Sequence, residues 1–162
     1  MMYPLIRLIC VVYLLIYATG CRDRLTENVC IPRLLLEQRG TNYGAMNAVT
    51  VKLQKSNSLV EVYSEPLIDE FEINNVELVQ VDKGFALLFI LSEKGARDLY
   101  RASVTHMGSR VVLSINSNVI GQRYIDGAID DGKFYTFVEL PQDSLGQLVL
   151  DIKATLVDIH KC

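Results

Sequence analysis

The sequence predicts an α+β fold: a mostly antiparallel sheet with two helices packed on one face. Three observations carry this reading. From Ala48 onward, short runs of apolar and polar residues alternate as half-buried strands do. Tight-turn sequences separate the runs, namely Ser56-Asn57-Ser58, Asp82-Lys83-Gly84, Asn116-Ser117-Asn118 and Asp130-Asp131-Gly132. Two stretches alone, after Ser92 and after Pro141, space their apolar residues at the helical period. Laying two amphipathic helices on one face of a sheet buries both stripes together.

The elements follow in order. Val49–Leu53 and Leu59–Tyr63 form a first hairpin, and Ile73–Val81 with Phe85–Leu91 a second. The run Phe85-Ala86-Leu87-Leu88-Phe89-Ile90-Leu91 is apolar on both faces, which predicts a central strand. Ser92 is a helix N-cap with Glu93 in the favourable first turn. The apolar or small residues Ala96, Leu99, Tyr100, Ser103 and Met107 follow the 3.6-residue spacing, and Gly108 ends the helix. Arg110–Ile115 is a strand, and Val119–Ile129 is another with a bulge or break near Gly121. Phe134–Leu140 is the last strand. Pro141 opens a second helix whose stripe is Leu145, Leu148, Val149, Ile152 and Leu156.

The chain has 162 residues, half of them hydrophobic, with a mean hydropathy of +0.23. That length suits one domain, and the composition excludes disordered and collagen-like classes. Much of the apolar excess lies in residues 1–20, MMYPLIRLICVVYLLIYATG, where Arg7 is the one charged residue. Without them the net charge moves from −3 to −4, so the rest has no electrostatic footprint for nucleic acid. Arg7, the apolar run Leu8–Tyr17 and the small residues Ala18-Thr19-Gly20 have the layout of an export signal. The apolar run is too short to span a hydrocarbon core about 30 Å thick. Ala18-Thr19-Gly20-Cys21 resembles the bacterial lipobox, with Ala18 where leucine is usual. The resemblance implies cleavage before Cys21 and lipid on its thiol.

The expected division is therefore a signal peptide over 1–20, a tether over 21–47 and one domain over 48–162. Within the tether, Leu34-Leu35-Leu36 is read as one helical turn. Cys30 and Cys162 remain as a candidate disulfide in an oxidising compartment. Closing so long a loop would contribute about 4–5 kcal/mol in the chain-entropy model.

Phe85 to Ile152 has a further pattern. A buried strand ends at Leu91, and Ser92-Glu93-Lys94-Gly95-Ala96-Arg97 opens a helix. Gly108-Ser109-Arg110 then leads into Val111-Val112-Leu113-Ser114-Ile115, the turn Asn116-Ser117-Asn118 and Val119-Ile120, with Phe71–Val81 as the lead-in. This block resembles the head subdomain of the first large periplasmic region of SecD, the export-motor subunit of the Sec translocase. The family often has Asp-Gly where Asn116-Ser117 stands, and a small-residue and proline segment where Gly121-Gln122-Arg123 stands. Its six membrane helices have no counterpart in this sequence, so the expectation is a stand-alone relative of the head without motor function.

Catalytic signatures are scarce: no P-loop, GxGxxG, HExxH or GxSxG occurs. His106 is read as a helix-end histidine and His160 as a tail residue. Asp69, Glu70 and Glu72 cluster before the second hairpin, where carboxylates are usually solvated. Asp126, Asp130 and Asp131 lack EF-hand spacing, and turn formation explains them. No catalytic residue, metal or cofactor is assigned. The functional suggestion is a sheet edge that takes an extended peptide as an added strand, with Val119, Ile120, Gly121, Gln122 and Arg123 as its lip. The expected protein is a non-catalytic lipoprotein of the bacterial envelope, facing the periplasm or the exterior. It is expected to be held to the membrane by its lipid and to bind an envelope protein or extended polypeptide. The competing readings are a hydrolase and a structural or stress-response lipoprotein.

Overall fold

The computed structural model describes residues 29–39 and 47–161. The expected signal peptide over 1–20, Cys21 and Cys162 lie outside the described residues. Eight strands and two α-helices follow in the order β1 (Pro32–Leu36), β2 (Ala48–Lys52), β3 (Leu59–Tyr63), β4 (Ile73–Val81), β5 (Gly84–Leu91), α1 (Glu93–Thr105), β6 (Arg110–Ile115), β7 (Asn118–Tyr124), β8 (Lys133–Val138) and α2 (Gln142–Ile159). A 3-10 turn, Glu70–Glu72, precedes β4. The predicted class and both hairpins are present.

Six strands form one antiparallel sheet in the order β1-β6-β7-β8-β5-β4, and β2 and β3 form a separate two-stranded sheet. Two expectations are corrected here. Leu34-Leu35-Leu36 is not a helical turn in a tether: it lies in β1, paired with β6 from Pro32↔Ile115 to Leu36↔Val111. The folded domain therefore already includes β1. Second, β7 is not an edge, because it lies between β6 and β8. Val119–Arg123 is thus an interior segment, and a peptide cannot be added along it where the ladder is complete.

Apolar alternation fixes which face each strand buries. Leu34, Leu87, Phe89, Val111, Leu113 and Phe134 point to one face and join Leu99, Ala102, Val149, Ile152 and Leu156 of the helices in the main core. On the opposite face, the β2–β3 hairpin lays Leu53, Val60 and Val62 over Val112 and Val119, with Leu35 and Val51 at the margin. Leu35 thus serves the second core while its neighbours serve the first. Glu139 ties the hairpin turn down by accepting the backbone N–H groups of Lys55 (2.9 Å) and Ser56 (3.0 Å).

Caps and turns hold the elements in register. Ser92 Oγ accepts the Gly95 N–H at 3.2 Å, as its N-cap position requires. Asp69 and Glu72 form a reciprocal capping box at the 3-10 turn. Asn116 and Ser117 both have positive φ, which suits the two-residue turn from β6 to β7. The bulge expected near Gly121 is present one residue earlier: the β6–β7 register shifts between Leu113↔Gly121 and Ser114↔Val119, leaving Ile120 unpaired. Ile120 then packs against the main core.

Candidate binding surface

The hairpin covers only the β1-β6-β7 part of its face. Alternation puts Val79 and Val81 of β4, Leu88 of β5, and Tyr135 and Phe137 of β8 on the same face beyond it. Tyr124 and Phe137 are 56% and 45% exposed there. They border a groove of about 530 Å³ between β7 and the β8-β5-β4 strands, lined also by Val81, Lys83, Gln122 and Arg123. Large apolar side chains gathered in one exposed groove, rather than scattered singly, mark an interaction surface.

Backbone geometry creates the groove. The β7–β8 ladder is short, with two pairs, Gly121↔Val138 and Gln122↔Phe137. At the first pair the strands are so close that a Cβ on Gly121 would lie 2.5 Å from the Phe137 carbonyl oxygen, so glycine is required. Beyond the second pair the strands part. Arg123 bridges the opening: its guanidinium donates to the Tyr135 carbonyl at 3.4 Å and lies 3.7 Å from Asp126.

A charged frame positions the groove's inner wall. Arg110 of β6 donates to Glu37, just past β1, and to Gln122 Oε1 at 3.4 Å, while its guanidinium lies 5.8 Å from the Tyr124 ring centroid. Glu37 also accepts the Arg110 backbone N–H at 2.8 Å and the Arg39 guanidinium at 3.3 Å. Burial pushes the Glu37 carboxyl up, but the hydrogen bonds and charge of Arg110 outweigh it and hold the pKa below its ordinary value. The same pair raises that of Arg110.

Other residues singled out in the sequence have structural partners. Glu70 takes Arg33 in a bidentate pair at 2.8 and 2.9 Å. Hydrogen bonding from Arg33 holds the Glu70 carboxyl low against the opposing effect of burial. Glu72 joins its capping box to Lys94. His106 lies at the end of α1 with Nδ1 2.8 Å from Thr105 Oγ1, and His160 Nε2 lies 3.0 Å from the Ile73 carbonyl. His160 is therefore engaged with β4 rather than free in a tail. Asp131 accepts the Lys133 N–H at 3.0 Å within its turn. No cluster of His, Cys, Asp or Glu among the described residues is arranged to hold a metal ion.

Cys30 is half-buried with no disulfide partner among the described residues, and its backbone N–H donates to Thr155 Oγ1 of α2 at 2.9 Å. Of the predicted lip, Val119 is buried under the hairpin, Ile120 packs in the main core and Gly121 makes the close approach to β8. Gln122 and Arg123 line the groove. Tyr124, Tyr135, Phe137 and Val81 were not anticipated. The signal for two of them lies in Phe134-Tyr135-Thr136-Phe137, whose aromatic residues fall on both faces of one strand.

The sequence matches no protein-family profile and no curated protein. Solved structures are similar in fold. SecDF in its super-membrane-facing form aligns at a TM-score of 0.58 and 12% identity, over 77% of this chain and 19% of that one. A SecDF described as a membrane component that enhances protein export aligns at 0.58 and 11%, over 78% of this chain and 63% of that one. This chain thus spans less than two thirds of either. The likeness is one of fold, and it extends well beyond the Phe85–Ile152 block in which it was first visible: the architecture is SecD-like.

Proposed function

We propose that this chain is a non-catalytic polypeptide-binding module of the bacterial cell envelope, tethered to the membrane by lipid on Cys21 and accessory to protein export. The observation that carries the reading is the open apolar groove between β7 and β8, in a fold like that of SecDF. Tyr124 and Phe137 supply flat, sequence-tolerant apolar contact, which suits segments of unfolded chain. Arg123, Gln122 and Lys83 supply polar contacts at the rim. Asp69, Glu70, Glu72 and His160, which a hydrolase could use, are instead engaged in a cap, ion pairs and a backbone contact. No helix among the described residues is long and apolar enough to cross a membrane, so in this reading the lipid supplies the membrane attachment.

The test uses a permanently unfolded probe, reduced and carboxymethylated α-lactalbumin, titrated calorimetrically. Native protein binds it, and the Tyr124→Ala/Phe137→Ala double variant binds it about tenfold more weakly or worse. Equal binding by both proteins sinks the assignment of the groove. For the anchor, labelled palmitate is incorporated by the native chain and lost in Cys21→Ser; undiminished incorporation removes the lipid from Cys21.

A further inference from the structure

The six-stranded sheet has two outer strands, and they are treated differently. The outer side of β1 is closed by its own chain: Leu34 donates its N–H to the Ile68 carbonyl (3.0 Å) and accepts from Leu67 (2.8 Å) and Ile68 (3.2 Å). The outer side of β4 has no strand partner among the described residues. The Leu91 N–H donates to Gly132, on the β8 side. By alternation, Ala86, Leu88 and Ile90 therefore direct their backbone groups at β4, to Val79, Glu77 and Asn75. The remaining phase of β4, Val76, Leu78 and Gln80, directs its N–H and C=O groups outward.

Long free edges are normally blocked by proline, by charged side chains, above all lysine, or by a strong bulge, and Glu77 is the one charged residue on β4. β4 is nine residues long, INNVELVQV, with no proline and no lysine, and its one register shift is at its beginning, between Ile73 and Asn75. A cleft of about 320 Å³ adjoins this edge on the helix side, between β4 and the C-terminal half of α2. Leu156 and Val157 give it an apolar wall and Lys153 a basic rim, while Lys161 lies 3.8 Å from Asp158. Lys153 forms no ion pair among the described residues.

We infer that the free edge of β4 takes an extended polypeptide segment as a seventh strand. The inference rests on the polypeptide-binding reading above and names how part of the chain is held. Backbone groups of the segment pair with Val76, Leu78 and Gln80. Its side chains in that phase face the α2 cleft, an apolar one against Val157 and an acidic one toward Lys153. Side chains of the other phase extend the face that carries Glu77, Val79 and Val81. A second copy of this chain fits less well, because pairing β4 with β4 would bring two α2 helices together and supply no acidic side chain of β4 to Lys153.

The probe is a fluorescein-labelled nonapeptide alternating valine and threonine, with aspartate at its centre, followed by anisotropy on the whole protein. Two N-methylated forms carry their methyl groups on one phase of backbone nitrogens or on the other. One form binds at least about tenfold more weakly than the parent and the other binds like it, because a paired strand offers only alternate N–H groups to its neighbour. Gln80→Pro removes one outward N–H and no ladder bond, so it weakens the parent peptide while the thermal midpoint stays near that of the native protein. Equal effects of the two methylation phases overturn the edge pairing. Binding that ignores methylation but is lost in Tyr124→Ala/Phe137→Ala overturns it too, and leaves the groove reading standing. No peptide binding, together with no binding of unfolded α-lactalbumin, overturns both. A dimer in sedimentation equilibrium that Gln80→Pro dissolves assigns the edge to a second copy and overturns the inference.

Discussion

Arg110 shows how much one side chain holds in place. Its backbone and guanidinium satisfy Glu37, and its outer nitrogens and flat face meet Gln122 and Tyr124 at the groove wall. Glu37 and Arg110 side chains are 8% and 16% exposed, so removing one partner strands a charge in a poorly hydrated place. Arg110→Ala should cost about 3–5 kcal/mol in denaturant unfolding. Replacing both residues by apolar ones of similar size should cost less than that single change. The pH dependence follows the same pair. Glu37, Glu70 and Glu139 all have folded pKa values below their unfolded ones. Their stabilisation is therefore complete above the ordinary carboxylate range and is lost as pH falls through the lowered folded values. Acid unfolding profiles should show this loss, and Glu37→Gln should flatten it. Cys30 moves the other way: burial and then the charge of Asp151 raise its thiol pKa. In the reduced protein, iodoacetamide should alkylate it more slowly at neutral pH than a free peptide cysteine.

At the scale of elements, local pattern was sufficient where neighbours in sequence are neighbours in space. Both hairpins and the Ser92 cap rest on contacts within about twenty residues, and the helical period marked both helices, although Tyr100 and Met107 of the first expected stripe are exposed. Two elements depend on distant partners, and there the structure differs from the local pattern. Leu34-Leu35-Leu36 gave no clear period because Leu34 and Leu36 enter one core while Leu35 meets the other, under a hairpin that follows later in the chain. β7 looked like an edge because strand order is set by β8 crossing back beside it, which no local window contains. Two substitutions probe these elements. Leu34, fully buried, should cost about 2–5 kcal/mol when changed to alanine, a loss that a tether residue would not produce. Gly121→Ala should cost about 1–3 kcal/mol, since its Cβ would press on the Phe137 carbonyl and push β7 from β8. Thermal unfolding of each variant measures both.

For the whole molecule, the layering decides where function resides. Helices fill one face of the sheet and the hairpin half of the other, so the remaining half is where apolar side chains stay open. The fold class was legible because composition and periodicity are global properties. The groove was not, because Tyr124 and Phe137 face each other only through the short β7–β8 ladder. Since β1 belongs to the sheet, a chain begun at Val29 should unfold cooperatively. One begun at Ala48, where the alternating runs start, should be much less stable in circular dichroism melts, having lost Leu34 and Leu36 from the main core and Leu35 from beside the second.

The most direct measurement is an amide NMR titration of the folded domain with reduced, carboxymethylated α-lactalbumin. Binding at the open half-face predicts shifts concentrated at Val79–Val81, Gln122–Tyr124 and Tyr135–Phe137, and small ones along the solvent side of α1. Shifts confined to the helices, or none at millimolar probe, would contradict a polypeptide-binding role for this face.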